Sequence, residues 1–234
     1  DDHSSGIDEE FDQLYRDHLM SACLAVGLVP PSFLLIPIKG KGPSGKAREP
    51  RALLRPQIDG RNSSYYEWFA AGVFDPTLGG GSMHQTQYLL RRLYFGFDLE
   101  KFFFRMDADR SVLKPSGGDR VVLKLKLITQ ETWVVSIPLN EESEEPATGQ
   151  ARPVSLEREV RGSLEPAGTT GPAAVGTVVE LAVPFADLGV TPGQEIHFYV
   201  TLEVNGRELE RCPSRSPIRT QVPHADFETR MWVV

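Results

Sequence analysis

The 234-residue chain is long enough to bury a sizeable core, and its 40% hydrophobic and 24% charged residues have the balance of a globular rather than a disordered protein. Its net charge of −7 argues against a nucleic-acid partner, because binding a phosphate backbone requires a clustered positive face. No apolar run reaches the roughly 18 residues of a membrane-spanning helix, so we expect no membrane partner.

Cysteine content and the start of the chain bear on its cellular context. Cys23 and Cys212 are the only cysteines, too few for a disulfide framework, and we expect both thiols to be reduced. The chain begins without an initiator methionine or a signal-peptide pattern, so we expect a fragment of a longer protein. These features favour a cytoplasmic location.

An amphipathic helix is the first predicted element. Ser5 and Asp8 have the spacing of a capping box, and Gly27 followed by Pro30 and Pro31 ends the helix. Between these signals, apolar residues recur at helical intervals, namely Phe11, Leu14, Tyr15, Leu19, Ala22 and Val26. We therefore predict a helical segment within residues 1–38.

A segment rich in glycine, proline and lysine follows the helix, and we predict a mobile linker over residues 39–56. Its stretch GKGPSGKA lies within one residue of the phosphate-binding pattern G-x-x-x-x-G-K-[ST], but Ala47 occupies the Ser/Thr position. That pattern also needs a helix directly behind it, and the prolines of REPRALLRP prevent a long one. A linker therefore explains the segment better than a nucleotide site does.

Residues 57–234 change to short runs in which apolar and polar residues alternate, as in an all-β sandwich or barrel. The alternation is clearest over residues 121–128 and 195–204, and Asn205-Gly206 then predicts a tight hairpin into RELERC. Further strands are predicted at residues 64–70, 92–98, 101–107, 131–138, 154–160, 176–183 and 229–234. The predicted fold class is mainly β, an antiparallel β-sandwich preceded by the helix.

The segment 140–175 is acidic and rich in glycine, proline and threonine. These residues favour turns over regular structure. We therefore predict a long excursion from the sandwich that contains only the weak strand at 154–160.

Metal and catalytic signals are weak. Asp98, Asp107 and Asp109 lie at predicted strand ends, where carboxylates can hold Ca²⁺, although such aspartates more often solvate turns. We expect no cofactor, with a structural Ca²⁺ as the open alternative. Glu67 and Asp107 could form the carboxylate pair of a glycosidase, but among 32 acidic residues such a coincidence is common.

Aromatic residues are the chemical signal that remains. A sugar stacks its apolar face on a ring that faces water, and strand parity predicts which rings do so. In residues 64–70 parity assigns Tyr66 and Trp68 to the core. The candidate sugar-binding residues are three outward rings with their polar neighbours, Tyr65 with Glu67, Phe103 with Arg105, and Tyr199 with His197. The alternative is that these rings are scattered surface aromatics or are covered by loops or by another domain.

Two stretches resemble glycoside hydrolase family 57, which contains α-glucan-active amylases and glucanotransferases. DDHSSGIDEEFDQLYRDHLMSACLAVGLVPP resembles the region after the catalytic barrel of that family. IDGRNSSYYEWFAAGVF, with GSMH and LYFGFDLEKFFFRMD, is similar to the β-domain of its long members. VVELAVPFADLGVTPGQEIHFYVTLEVNG looks like the last strands of family 9 carbohydrate-binding modules and DOMON-type domains.

The resemblance implies an accessory domain that binds α-1,4-glucan, with the catalytic glutamate and aspartate of the family lying in an upstream barrel. Residues 1–38 would be the severed end of that catalytic domain, and residues 57–234 the binding domain. No catalytic residue carries over, so we expect the chain not to be an enzyme. Two alternatives stay open: a structural domain that packs against the barrel without binding sugar, and a fragment that hydrolyses glycosides itself.

Overall fold

The computed structural model describes residues 3–28, 30–31, 34, 47–79, 88–113, 118–140, 150–214 and 216–231. Its helices are α1 (His3–Ala25), α2 (Arg110–Leu113), α3 (Phe185–Leu188) and α4 (Phe227–Met231). Its strands are β1 (Gly72–Phe74), β2 (Leu90–Phe97), β3 (Lys101–Ala108), β4 (Val121–Ile128), β5 (Thr132–Pro138), β6 (Arg152–Val160), β7 (Ser163–Val175), β8 (Val179–Pro184), β9 (Glu195–Val204), β10 (Arg207–Cys212) and β11 (Ile218–Gln221). The predicted mainly β class with a preceding helix is confirmed.

One antiparallel sheet contains all of these strands, in the order β1-β2-β3-β8-β7-β6-β5-β4-β9-β10, with β11 also paired to β9. The sheet curls so that β2 and β3 face β9 across the core. The rings of Phe95 on β2 and Phe102 on β3 each lie 5.1 Å from the ring of Phe198 on β9. The outward faces of β3 and β9 therefore point in opposite directions.

Side-chain alternation explains why the central strands form. Leu123, Leu125 and Leu127 of β4 are buried on the core side, as their alternation predicts. Lys124 and Lys126 point the other way and pair with Glu203 of β9 and Glu159 of β6. The predicted hairpin at Asn205-Gly206 is also confirmed, with φ angles of 52° and 80° in its two turn residues.

Three predictions of local structure are wrong. Residues 64–70 form turns rather than a strand, and residues 227–231 form α4 where a strand over 229–234 is predicted, of which 232–234 lie outside the described residues. The segment read as an excursion contains the long strand β7, which pairs with β6. Residues 163–169 of β7 are exposed, so this half of the hairpin carries no apolar alternation by which a strand is recognised.

The described part of the predicted linker, residues 47–56, lies against the sheet. The backbone of Arg48 exchanges two hydrogen bonds with Val73 of β1, and the Leu54 N–H donates to the carbonyl of Phe97. Leu54 fits there because Gly96 has no side chain: a Cβ at Gly96 would come within 2.4 Å of Leu54. Residues 39–46 lie outside the described residues, and the predicted domain boundaries stay predictions.

Residues 47–71 cover the outward face of β3 and β8. Beneath them lies a second hydrophobic cluster, formed by Leu54, Trp68, Ala71, Phe103 and Ala182. The sheet thus has its large core on the inner side and a smaller one under this covering segment.

Helix α1 contacts the opposite outward face, where Met20 packs against Ile128 and Tyr199. The predicted helix is confirmed, and Gly27 follows its end with a φ of 74°. Among the helices in the described part of the chain, none combines the length and hydropathy that crossing a membrane requires.

Candidate binding groove

The aromatic turn, residues 59–70, is fixed to the sheet by the buried carboxylate of Glu180 on β8. One carboxylate oxygen accepts hydrogen bonds from the backbone N–H groups of Asp59 and Gly60, at 3.1 and 2.9 Å. The other oxygen accepts a bond from Nε1 of Trp68 at 3.0 Å. Burial raises the pKa of Glu180, and these three donors offset only part of that effect.

Three rings of the aromatic turn face solvent. Tyr65 is 73% exposed and Phe69 is 60% exposed, and their ring centroids lie 5.5 Å apart. The Tyr66 ring meets that of Tyr65 edge to face at 5.7 Å and is also exposed. The prediction that Trp68 is buried is confirmed, but the same prediction for Tyr66 is wrong, because in a turn residues two apart do not share a face as they do in a strand.

A groove opens beside the aromatic turn, over the outward ends of β1, β2 and β3. It has two adjoining parts of about 660 and 690 Å³, which share the side chains of Asn62, Asp75, Arg92, Arg105 and Asp107. Tyr65 and Phe69 line the first part, together with the Tyr94 ring. Apolar ring faces therefore lie next to hydrogen-bonding groups in one concave site, as small-molecule sites require.

The inner wall of the groove is held by contacts to Arg105. Its guanidinium lies 4.9 Å from the centroid of the Tyr94 ring and donates to Oδ1 of Asp107 at 2.8 Å. A second nitrogen donates to Oδ1 of Asn62 at 3.3 Å, which connects β3 to the aromatic turn. The Arg105 side chain is almost wholly buried, and these contacts hold it in one orientation.

Asp75 keeps a negative charge in the groove. Burial by itself raises the pKa of Asp75, but hydrogen bonds from Thr77 and Arg92 outweigh that effect and hold the pKa below its usual value. Arg92 donates to Oδ2 of Asp75 at 3.0 Å. The two aspartates of the groove, Asp75 and Asp107, are thus each paired with an arginine.

The structure separates the predicted site residues into two places. Tyr65 and Arg105 line the groove, and Glu67 lies on the aromatic turn beside it, 3.4 Å from the hydroxyl of Ser63. Tyr199 and His197 lie on the outward face of β9, which five strands of the sheet order separate from β3. These residues therefore do not form a single site.

The predicted exposure of Phe103 and Tyr199 is wrong. Phe103 is 5% exposed because residues 47–71 cover it, and Tyr199 is 3% exposed beneath α1. The Tyr199 ring is also flanked by the guanidinium of Arg211, 5.0 Å from its centroid. Neither ring offers a free face to a sugar.

His197 stays partly accessible beside a different, smaller cavity. Its Nε2 lies 3.4 Å from a carboxylate oxygen of Glu195, and burial lowers its pKa while that carboxylate acts in the opposite direction. The cavity, of about 430 Å³, is also lined by Ile128, Glu131 and Leu188, and among the described residues no Phe, Tyr or Trp side chain lines it.

The aspartates considered for Ca²⁺ have other partners. Asp98 accepts the backbone N–H groups of Glu100 and Lys101, Asp107 pairs with Arg105, and Asp109 accepts bonds from Ser111 and Arg91. Within the described residues, no group of three or more His, Cys, Asp or Glu side chains is placed to hold a metal ion. Both cysteines are free thiols, and burial raises the pKa of Cys212 to about 12.

Several groove residues are missing from the predicted set. Arg92 and Tyr94 belong to the outward face of β2, and their alternation with Leu93 and Phe95 is a signal that the sequence contains. Asn62 and Asp75 have no such signal, because they lie in turns whose position only the folded chain sets.

Comparisons with models of protein families, with characterised proteins and with solved structures found no match.

Proposed function

We propose that this chain is a non-catalytic accessory domain that binds α-1,4-glucan, such as starch, glycogen or a malto-oligosaccharide, in the groove. The observation that supports the proposal best is the position of Tyr65 and Phe69, whose exposed rings line the groove next to Asn62, Arg92 and Asp107. The apolar face of a pyranose can stack on such rings, and the amide, guanidinium and carboxylate can hydrogen-bond its hydroxyls.

The choice of α-glucan rests on the resemblance of the sequence to glycoside hydrolase family 57. We propose that the curled sheet belongs to the sandwich class of carbohydrate-binding modules and follows an upstream catalytic domain, its partner in cis. Binding to the polymer would raise the effective concentration of that active site near its substrate. The cytoplasmic location is part of the same proposal.

Isothermal titration calorimetry with maltoheptaose and soluble starch tests this function. Tyr65→Ala and Phe69→Ala should each weaken binding by about 1–2 kcal/mol, or roughly five- to thirtyfold in Kd, because each removes a stacking face. Neither change should lower the melting temperature appreciably, since both rings are largely exposed.

Tyr15→Ala is the matched control, because it removes an exposed tyrosine ring on α1 that does not line the groove. Its affinity for maltoheptaose should equal that of the unchanged protein. Absence of binding heat with both glucans from the folded protein would contradict the proposed function, as would equal losses in Tyr15→Ala and Tyr65→Ala.

A second candidate function is a structural domain that docks onto an upstream domain without binding sugar itself. The observation that favours it is the surface of α1, where Phe11, Leu14 and Tyr15 are exposed while Asp12 and Arg16 are buried. An apolar helix face that points away from its own sheet is typical of an interface with another body.

A further inference from the structure

The groove contains an excess of arginine over carboxylate. Its two parts are lined by five arginines and two aspartates, namely Arg48, Arg51, Arg91, Arg92 and Arg105 with Asp75 and Asp107. This positive site lies on a protein whose net charge is −7. A neutral glucan needs hydrogen-bond donors and acceptors but no net charge, so the excess requires another explanation.

Three of these arginines are already paired. Arg92 pairs with Asp75, Arg105 with Asp107, and Arg91 with Asp109 outside the groove. Both aspartates that line the groove are used in these pairs. Arg48 and Arg51 have exposed side chains, and within the described part of the chain no carboxylate lies at ion-pair distance from either.

The backbone positions Arg48 and Arg51 firmly. Arg48 exchanges two backbone hydrogen bonds with Val73, of 2.8 and 2.9 Å, and the N–H of Arg51 donates to the carbonyl of Ala70 at 2.8 Å. The first contact joins Arg48 to β1, and the second joins Arg51 to the end of the aromatic turn. Both arginines line the part of the groove that also holds Tyr65 and Phe69.

We propose that the groove selects a sugar that carries an oxyanion, a phosphate ester or a carboxylate, with Arg48 and Arg51 binding that group. The planar guanidinium fork matches both oxyanions and binds them by charge-assisted hydrogen bonds. Tyr65 and Phe69 contact the sugar ring in the same complex. This inference rests on the proposed carbohydrate binding and adds the charge of the ligand to it.

Calorimetry with matched oligosaccharides at 50 mM NaCl tests the inference. The probes are maltoheptaose, maltoheptaose with one 6-phosphate, a maltoheptaose oxidised to carry one glucuronate, and inorganic phosphate alone. We expect the phosphorylated or the oxidised chain to bind about tenfold tighter than neutral maltoheptaose. The ranking of these two charged chains identifies which oxyanion the groove prefers.

The double variant Arg48→Gln/Arg51→Gln should abolish the advantage of the charged chain, and 500 mM NaCl should reduce it in the unchanged protein. Arg55→Gln is the matched control, because Arg55 is an exposed arginine of the same segment that does not line the groove. The Arg55→Gln variant should still bind the charged chain more tightly than neutral maltoheptaose, to the same degree as the unchanged protein. Thermal melts check that all variants remain folded.

Each contrary outcome has its own meaning. Equal affinity for neutral and charged maltoheptaose would overturn this inference and leave the proposed glucan binding intact. If inorganic phosphate alone bound as tightly as the phosphorylated chain, the sugar would add nothing to recognition of the charged ligand and this inference would be wrong, whereas the measurement with neutral maltoheptaose would still decide the proposed glucan binding. Absence of binding by every probe would also overturn both.

Discussion

Glu180 is the residue on which the shape of the groove depends most. Glu180 does not line the groove. Its carboxylate nevertheless connects β8 to both ends of the aromatic turn, through hydrogen bonds from Asp59, Gly60 and Trp68. A fully buried carboxylate is costly unless its oxygens are hydrogen-bonded, and here three donors meet that need. Glu180 therefore positions the aromatic turn that carries Tyr65, without lining the groove itself.

Glu180→Ala should lower the free energy of unfolding by about 2–4 kcal/mol, because it leaves three donors without an acceptor. Urea denaturation followed by circular dichroism measures the change. Under the proposed function the variant should also bind glucan more weakly, since the aromatic turn loses its attachment to β8.

Trp68→Phe is the control, because it keeps a buried ring but removes the single indole donor to Glu180. We expect this change to lower the free energy of unfolding by about 1 kcal/mol. If Glu180→Ala cost no more than Trp68→Phe, the two backbone bonds from Asp59 and Gly60 would not matter for stability, and the positioning role would be wrong.

At the scale of elements, α1 is oriented opposite to the usual arrangement of an amphipathic helix. Its inward side carries Arg16, which bonds to Asp12 and to the carbonyl of Leu34 at 3.1 Å each, and Met20 supplies the apolar contact to β4 and β9. Its apolar side, with Phe11 and Leu14, faces solvent. The helix thus presents to the outside the surface that ordinarily packs on a core.

The double variant Phe11→Ser/Leu14→Ser tests whether α1 is an interface. If the apolar side needs a partner, this chain should self-associate at high concentration, and the variant should remain monomeric in sedimentation velocity experiments. Its free energy of unfolding should change by less than about 0.5 kcal/mol per site, because both side chains are exposed.

Leu209→Ser on β10 is the matched control for a solvent-exposed leucine elsewhere, and its association should equal that of the unchanged protein. A protein that stays monomeric at all concentrations would argue against the structural candidate and favour an independent binding domain.

At the scale of the whole molecule, the curled sheet is held together where its two ends approach each other. Glu210 of β10 accepts hydrogen bonds from the backbone N–H groups of Leu89, at 2.8 Å, and Leu90, at 3.2 Å, at the start of β2. A side chain thus connects strands near opposite ends of the sheet order. Such a bond protects part of a free strand edge, which otherwise exposes unpaired backbone groups.

Glu210→Ala should reduce the free energy of unfolding by about 1–3 kcal/mol, because the N–H of the buried Leu90 loses its acceptor. Hydrogen exchange measured by NMR should accelerate at Leu89 and Leu90 before the central strands β4 and β9 are affected. Glu208→Ala is the control: Glu208 lies on the same strand and forms a surface ion pair with Arg211, so we expect its free energy of unfolding to fall by less than about 1 kcal/mol. Equal losses in the two variants would contradict the edge-joining role of Glu210.

Local sequence patterns were enough to predict the mainly β class of the fold and the positions of most of its strands. The alternation at residues 121–128 and 195–204, the turn at Asn205-Gly206 and the helix ending before Gly27 are local patterns, and local patterns follow from backbone geometry and burial of one face. Strand parity also assigned Trp68 to the interior and Tyr65 to the surface, but residues 64–70 form turns, so these agreements do not follow from strand geometry, and the same rule was wrong for Tyr66. The local patterns failed at β7, whose exposed half needs no apolar alternation.

Which of the outward rings reach water depends on contacts between segments that are distant in the chain. Strand parity predicts the side of the sheet to which Phe103 and Tyr199 point, but it carries no information about what covers that side. Residues 47–71 cover Phe103, and α1 covers Tyr199, through contacts between segments far apart in the chain. The groove arises in the same way, because Asn62, Asp75 and Arg105 meet only when the aromatic turn folds back over β3 and Glu180 holds it there.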